Sequence, residues 1–192
     1  SDITRTFPAN GRFTAAQRDL YDLVLASQAA AVQATRAGAR FTDPHDATVR
    51  VLAQGLLDLG LLQSTVHGTV DDVIEQRHYF RYYMHRTGHW LGMDVHDCGS
   101  YIEPGATGSG TTRRDPLSGE TIIDRPSRIL RPGMVTTIEP GLYVRAADDV
   151  PQAFWNLGIR IEDDAVITPE GCELITRDVP VDPDAIEALM RS

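Results

Sequence analysis

The sequence predicts an α+β fold, with helices gathered in the first third of the chain and short strands after them. Three observations carry this. Two long stretches before Gly60 have helical periodicity and recognisable ends. Beyond Arg77 the chain turns to short segments rich in β-branched and aromatic residues, cut by glycine and proline. Those segments follow one another in hairpin-like succession and do not alternate with helices, which argues against a doubly wound parallel sheet.

Residues 1–13 read as an extended lead-in. "TAAQRDLYDLVLASQAAAVQATRAG" then reads as a long helix, with Thr14 as N-cap and Gly38 as C-cap. "DPHDATVRVLAQGLLDLG" is a second helix, capped by Asp43, with Pro44 in its first turn and Gly60 at its end. A short helix is expected over Val70 to Arg77, where Asp71 and Asp72 suit the positive end of the helix dipole. "YFRYYMH", "MDVHDCGSY", "MVTTIEPGLYV" and "GIRIEDDAVIT" read as strands, and "DPDAIEALM" as a capped terminal helix. From Glu103 to Arg128 runs a stretch rich in Gly, Thr, Pro and Arg, long for a connection. It is either a plain surface excursion or a functional loop over the active site or at an oligomer contact.

At 192 residues the chain is expected to form one domain with a real core. Its 42% hydrophobic and 23% charged residues fit a globular protein. A net charge of −9 argues against nucleic acid as partner, because phosphate binding wants a basic face. All 18 basic residues are arginine, a bias from which no function is read. Two cysteines make no disulfide framework, and no signal peptide or apolar run near membrane-span length is present. A cytoplasmic protein without a membrane partner is therefore expected. The chain opens on Ser1 without an initiator methionine, so a fragment is one expectation.

Half of the six histidines fall in "HRTGHWLGMDVHD", at His85, His89 and His96. His89 lies between glycines that let backbone and ligand approach closely. Glu139 stands in "TTIEPGLY" at a strand end, Glu162 in "GIRIEDD", and Asp2 in "SDITRTFP". Singly, each has a bland reading: a hydrogen-bonded structural histidine, or a solvated carboxylate. Together they make an oxygen-rich donor set with one imidazole. That set suits Mn, Mg, Co or Zn in a multi-carboxylate site, and it does not suit a thiolate zinc.

Four segments in order, "SDITRTFPANGRFT", "MHRTGHWLGMDVHD", "LRPGMVTTIEPGLYV" and "GIRIEDDAVIT", resemble the pita-bread metallopeptidases. The wording is nearest to the Xaa-Pro aminopeptidases (aminopeptidase P), with prolidase the near neighbour. Methionine aminopeptidase motifs are worded differently. The resemblance runs from Ser1 to the closing "IEALM" helix and departs clearly at Glu103–Arg128. It implies a pita-bread catalytic domain whose start, together with an N-terminal domain, lies upstream of this chain. It also implies two divalent metals, commonly manganese, with cobalt or zinc as alternatives. These would be held by two aspartates, a histidine and two glutamates. The second aspartate, the histidine and the glutamates match Asp2, His89, Glu139 and Glu162. The first aspartate would precede Asp2 by eleven positions.

The resemblance further implies that His85 and His96 stand by the substrate and stabilise or protonate the tetrahedral intermediate, which suits an imidazole near its own pKa. The bland reading of His96 is a strand histidine bonded to a neighbouring loop. Glu139 would be ligand and proton shuttle, and Glu162 would bridge the metals. Arg160 is two residues before Glu162 and shares its strand face, so its guanidinium is expected to orient a ligand carboxylate. Tyr143, four residues past Glu139, is expected to hydrogen-bond the same carboxylate as Arg160. In the family both contact the first aspartate. Asp94 and Asp97 read as turn residues, Asp163 and Asp164 as strand-end hydrogen bonders, Cys98 as a small buried residue. Trp90 and Trp155 read as packing, with Trp155 in a loop (Arg145 to Leu157) placed to border a substrate pocket.

The activity so implied is removal of an N-terminal residue that precedes proline, by attack of a water lying between two metals. The alternatives are a prolidase acting on Xaa-Pro dipeptides, and an inactive fragment or binding module on the same scaffold. Homo-oligomers are common in this family and are expected of the full-length form.

Overall fold

The computed structural model describes residues 1–106, 108 and 110–191. Thr107 and Ser109, within the long stretch after Glu103, lie outside the described residues, as does Ser192. The fold is α+β. Helix α1 spans Ala15–Ala34, and Thr14 opens it with a capping box closed by Gln17. Its end comes earlier than the sequence suggests: Thr35 is the C-cap, and Gly38 lies beyond it with φ +84°. Helix α2 spans Asp43–Asp58, with Pro44 in its first turn. Thr42 takes the N-cap place expected of Asp43, whose carboxylate instead holds the Arg40 side chain and backbone N–H. Short helices α3 (Ser64–His67) and α4 (Val70–Glu75) follow.

"YFRYYMH" is not a strand. It forms a 3-10 turn over His78–Arg81 and an irregular continuation. The aromatics that suggested a strand are core residues: Tyr82 and Tyr83 are buried, with hydroxyls bonded to the Leu61 carbonyl and to Thr87. "MDVHDCGSY" shrinks to a minimal hairpin of β1 (Leu91–Gly92) and β2 (Val95–His96). The stretch after Glu103 is no plain loop. It carries a second hairpin, β3 (Thr111–Arg114) with β4 (Thr121–Asp124).

The remaining expected strands are each broken in two. Pro140, which cannot donate to a ladder, separates β5 (Val135–Ile138) from β6 (Gly141–Val144). Ile161 and Glu162 separate β7 (Leu157–Arg160) from β8 (Asp163–Ile167). β6 pairs with β7, while β5 pairs with β8, which in turn pairs with β9 (Cys172–Leu174). All these pairings are antiparallel. Helix α1 lies across β5, β6 and β7, and α2 packs on α1. Leu20, Tyr21, Val24, Leu52 and Leu56 fill that interface together with Leu142, Ile159 and Ile161. Helix α5 (Pro183–Met190), capped by Asp182, closes the chain. Among the described residues no helix is long and apolar enough to cross a membrane.

Candidate metal centre

Two stretches of irregular backbone bring the acidic residues together. Residues 2–6 run beside the break between β7 and β8. Thr4 bridges Glu162, whose N–H donates to the Thr4 carbonyl (3.0 Å), and Thr6 exchanges bonds with the Arg160 backbone. The Asp2 N–H is held by the Asp164 carboxylate (3.1 Å). Residues 87–90 run beside β5. The Glu139 N–H donates to the Thr87 carbonyl (2.7 Å), the Thr137 N–H donates to the His89 carbonyl (3.0 Å), and Trp90 bridges Thr136. Gly88 is required there: a Cβ at this position would lie 2.1 Å from the Thr137 carbonyl oxygen.

His89 stands at the centre. Its Nδ1 lies 3.0 Å from the Trp90 carbonyl, an acceptor, so the ring carries its proton on that nitrogen. Nε2 is left facing two carboxylates, Asp2 Oδ2 at 3.3 Å and Glu139 Oε1 at 3.5 Å. A lone pair aimed at two anions is repulsive, so this gap fits a positive group. Asp2, His89 and Glu162 each bring a ligand atom within 4.8 Å of the others. Burial raises the Glu162 pKa, and the Glu139 and Asp2 carboxylates add to the effect, while a Thr4 hydroxyl bonded to its Oε2 works against it. Three hard carboxylates, one imidazole and an excess of negative charge fit a divalent cation.

Arg160 is the cation at the edge of this cluster, its Nη1 3.4 Å from Glu139 Oε2. Tyr143 makes its bonds here with Arg160 and His85. Its hydroxyl accepts from Arg160 Nε (2.8 Å) and lies 2.9 Å from His85 Nε2. His85 Nδ1 faces the Arg86 carbonyl at 2.7 Å, so Nδ1 carries the proton and Nε2 accepts from Tyr143. Burial lowers the His85 pKa, and the Arg160 charge lowers it further. The strand pairing explains the choice. Tyr143 is on β6 and Arg160 on its partner β7, so the two side chains meet across the ladder.

His96 is exposed, and its ring packs on His89 with centroids 4.0 Å apart. Val95 before it has φ +71°, a costly value for a β-branched residue. Asp94 is exposed, and Asp97 accepts the Gly99 N–H as a turn residue does. Asp163 and Asp164 open β8 fully buried. Cys98 is exposed, against expectation, because the β1–β2 hairpin is too short to cover it. Trp90 stacks on Tyr101, and Trp155 packs partly buried on the core.

The centre opens into a cleft of about 1240 Å³. Its wall includes His85, His89, His96, Glu139 and Arg160, and also His45, which the sequence reading passed over. His45 bonds Thr87 (3.0 Å), and burial, with nearby Arg86 and His85, pushes its pKa down to about 3. Thr4 and Thr137 were also missed. Nothing local marks Thr4, whose partner lies 158 residues away, whereas Thr137 stands only two residues before its partner Glu139, a same-face spacing in extended chain.

Residues 1–169 match the model of metallopeptidase family M24. The chain belongs to metallopeptidase family M24. The family name implies divalent metal ions, and the cluster around His89 is where this M24 chain offers donors for them. It is 44% identical to the Xaa-Pro aminopeptidase of Escherichia coli over 98% of its own length and 37% of that protein's. It is 38% identical to the human Xaa-Pro dipeptidase over 99% of its length and 39% of that protein's. Its fold matches the aminopeptidase PepP of Pseudomonas aeruginosa with a TM-score of 0.84 and 44% identity, over 100% of this chain and 38% of that one. A zinc-substituted Escherichia coli aminopeptidase P in complex with product matches with a TM-score of 0.82 and 43% identity, over 100% of this chain and 38% of that one. The M24 chain thus has the pita-bread fold of these enzymes and spans well under half of their length.

Proposed function

We propose that this chain carries the metal centre and cleft of an aminopeptidase that hydrolyses the Xaa-Pro bond at peptide N-termini. The observation that carries the reading is the convergence of Asp2, Glu139 and Glu162 on His89 Nε2, with Arg160, Tyr143, His85 and His96 around it. In this reading Asp2, His89, Glu139 and Glu162 hold divalent ions, two in number and preferably manganese, with cobalt or zinc as alternatives. Such ions supply Lewis acidity and make an attacking water more acidic.

The chain's own residues do the rest. Glu139 takes the proton of that water, its Oε1 oriented by the Thr137 hydroxyl at 3.3 Å. Arg160 holds Glu139 on one side and Tyr143 on the other. Tyr143 in turn fixes His85, whose pKa burial lowers. His96, packed against His89 in the cleft wall, presents an N–H to the oxyanion that develops on the scissile carbonyl. An Xaa-Pro amide has no N–H, so a site that grips the carbonyl and not an amide hydrogen suits it.

The test is a manganese-loaded assay of Gly-Pro-Leu and Gly-Pro, on the longest polypeptide that carries this chain. Release of glycine from the tripeptide supports the reading. Cleavage of the dipeptide alone favours a prolidase, the second reading, which the human dipeptidase relative supports. No cleavage of either overturns both and leaves a binding module. A cytoplasmic setting is proposed on the two free thiols, Cys98 and Cys172.

A further inference from the structure

The β3–β4 hairpin has no role in the chemistry above, yet it borders the same cleft. Its register places Arg113 opposite Ile122. Alternate strand residues share a face, so Ile122 and Asp124 lie on the same side as Arg113. All three line the cleft that contains His85, Glu139 and Arg160. The Arg113 Nε is bonded to the Asp124 carboxylate, so the arginine is neutralised within the hairpin. What this face adds to the cleft is mainly the half-buried side chain of Ile122.

The hairpin is fixed at both ends. At its tip Asp115, 6% exposed, accepts the Leu117 N–H (2.8 Å) and the Ser118 N–H (3.2 Å) and pairs with Arg77. The Arg77 guanidinium lies 4.3 Å from the centre of the Phe80 ring. At its base Glu103 accepts the Ile129 N–H (2.7 Å) and pairs with Arg131. Other apolar members of the cleft include Phe41, Phe80, Met84, Tyr101 and Ile123. Met84 is 38% and Tyr101 40% exposed. Apolar groups left exposed inside a cleft that also holds the reactive groups mark a place for a ligand's apolar part.

We infer that the β3–β4 hairpin is a specificity wall, in which Ile122 packs on an apolar substrate side chain next to the proline and disfavours an acidic one. Asp115 acts through the hairpin, as a positioning residue. The inference rests on the reading of the chain as an Xaa-Pro peptidase.

The test is a matrix of Xaa-Pro-Yaa tripeptides with alanine, leucine or aspartate on either side of proline. Wild type is expected to favour leucine over aspartate at one of the two places by about tenfold or more in kcat/KM. Ile122→Ser should lose that preference while cutting the alanine peptide as wild type does. Ile122→Val should keep it, and Asp115→Ala should weaken it. A preference unchanged in Ile122→Ser, or a preference for aspartate in wild type, overturns the inference. If wild type cuts none of the peptides, the function reading has failed. The wall is then read by peptide binding, from the fluorescence of Trp90 in a Trp155→Phe background, since Trp90 lies 4.5 Å from Phe41 between ring centres. Tighter binding of leucine peptides that Ile122→Ser abolishes supports the wall; equal binding by both proteins overturns it.

Discussion

Tyr143 joins the Arg160 guanidinium, which also pairs with Glu139, to the His85 imidazole. Tyr143→Phe removes that joint and leaves the packing. Its kcat on Gly-Pro-Leu is expected to fall about 10- to 100-fold, with the urea midpoint unchanged. Asp163 makes the opposite case, a residue for stability. It is fully buried and accepts from Arg5, Arg177, Thr176 and Gln28 at 2.8 to 3.0 Å. Asp163→Ala strands two arginines and should cost about 3–5 kcal/mol in urea unfolding. His45 links stability to pH. Its folded pKa, about 3, lies below the ordinary 6.5. Between those values the unfolded chain takes up a proton that the folded chain refuses. The contribution is therefore complete above pH 6.5 and is lost as pH falls toward 3. His45→Gln should flatten the pH dependence of Tm across that window. The sequence placed Asp163 as a strand-end hydrogen bonder and Tyr143 beside Arg160 on one carboxylate. It did not show their partners or the role of His45, because spacing along one strand says nothing about what its neighbour places opposite.

The helices were read well, because their ends are written locally. Thr14 with Gln17, Pro44 and Asp182 are capping signals that need no tertiary context. The strands were read less well. Aromatic content made "YFRYYMH" look extended, whereas burial of Tyr82 and Tyr83 is what it serves. Two apparent strands are each split between two sheets, and only pairing reveals the split. The splits matter, since Glu139 and Glu162 stand at them. The His89 segment depends on close approach to β5 at Gly88. Gly88→Ala sets a methyl against the Thr137 carbonyl, so the segment must move away from the strand. Lower Tm and a loss of bound manganese are expected together, by differential scanning fluorimetry and metal analysis. Loss of neither would mean that the segment yields without cost.

On the scale of the whole molecule, the centre is assembled from both ends of the sequence: Asp2 is held by Asp164, 162 residues away. The four proposed ligands were named from motifs that resemble a metallopeptidase family, and each falls in the cluster around His89. Of their supports, Asp164 was read as a strand-end hydrogen bonder; Thr4 was not named, since the fold alone brings it to Glu162, nor was Thr137, two residues from Glu139. The same clustering gathers three carboxylates in a chain of net charge −9, which a cation would relieve. The most direct test is manganese content by mass spectrometry after exhaustive dialysis, on wild type, His89→Ala and Glu162→Gln. Retention of manganese by wild type and its loss from both variants is the predicted result. A wild type that holds no divalent ion under manganese supply, or variants that hold as much as wild type, would contradict a metal centre built on these side chains.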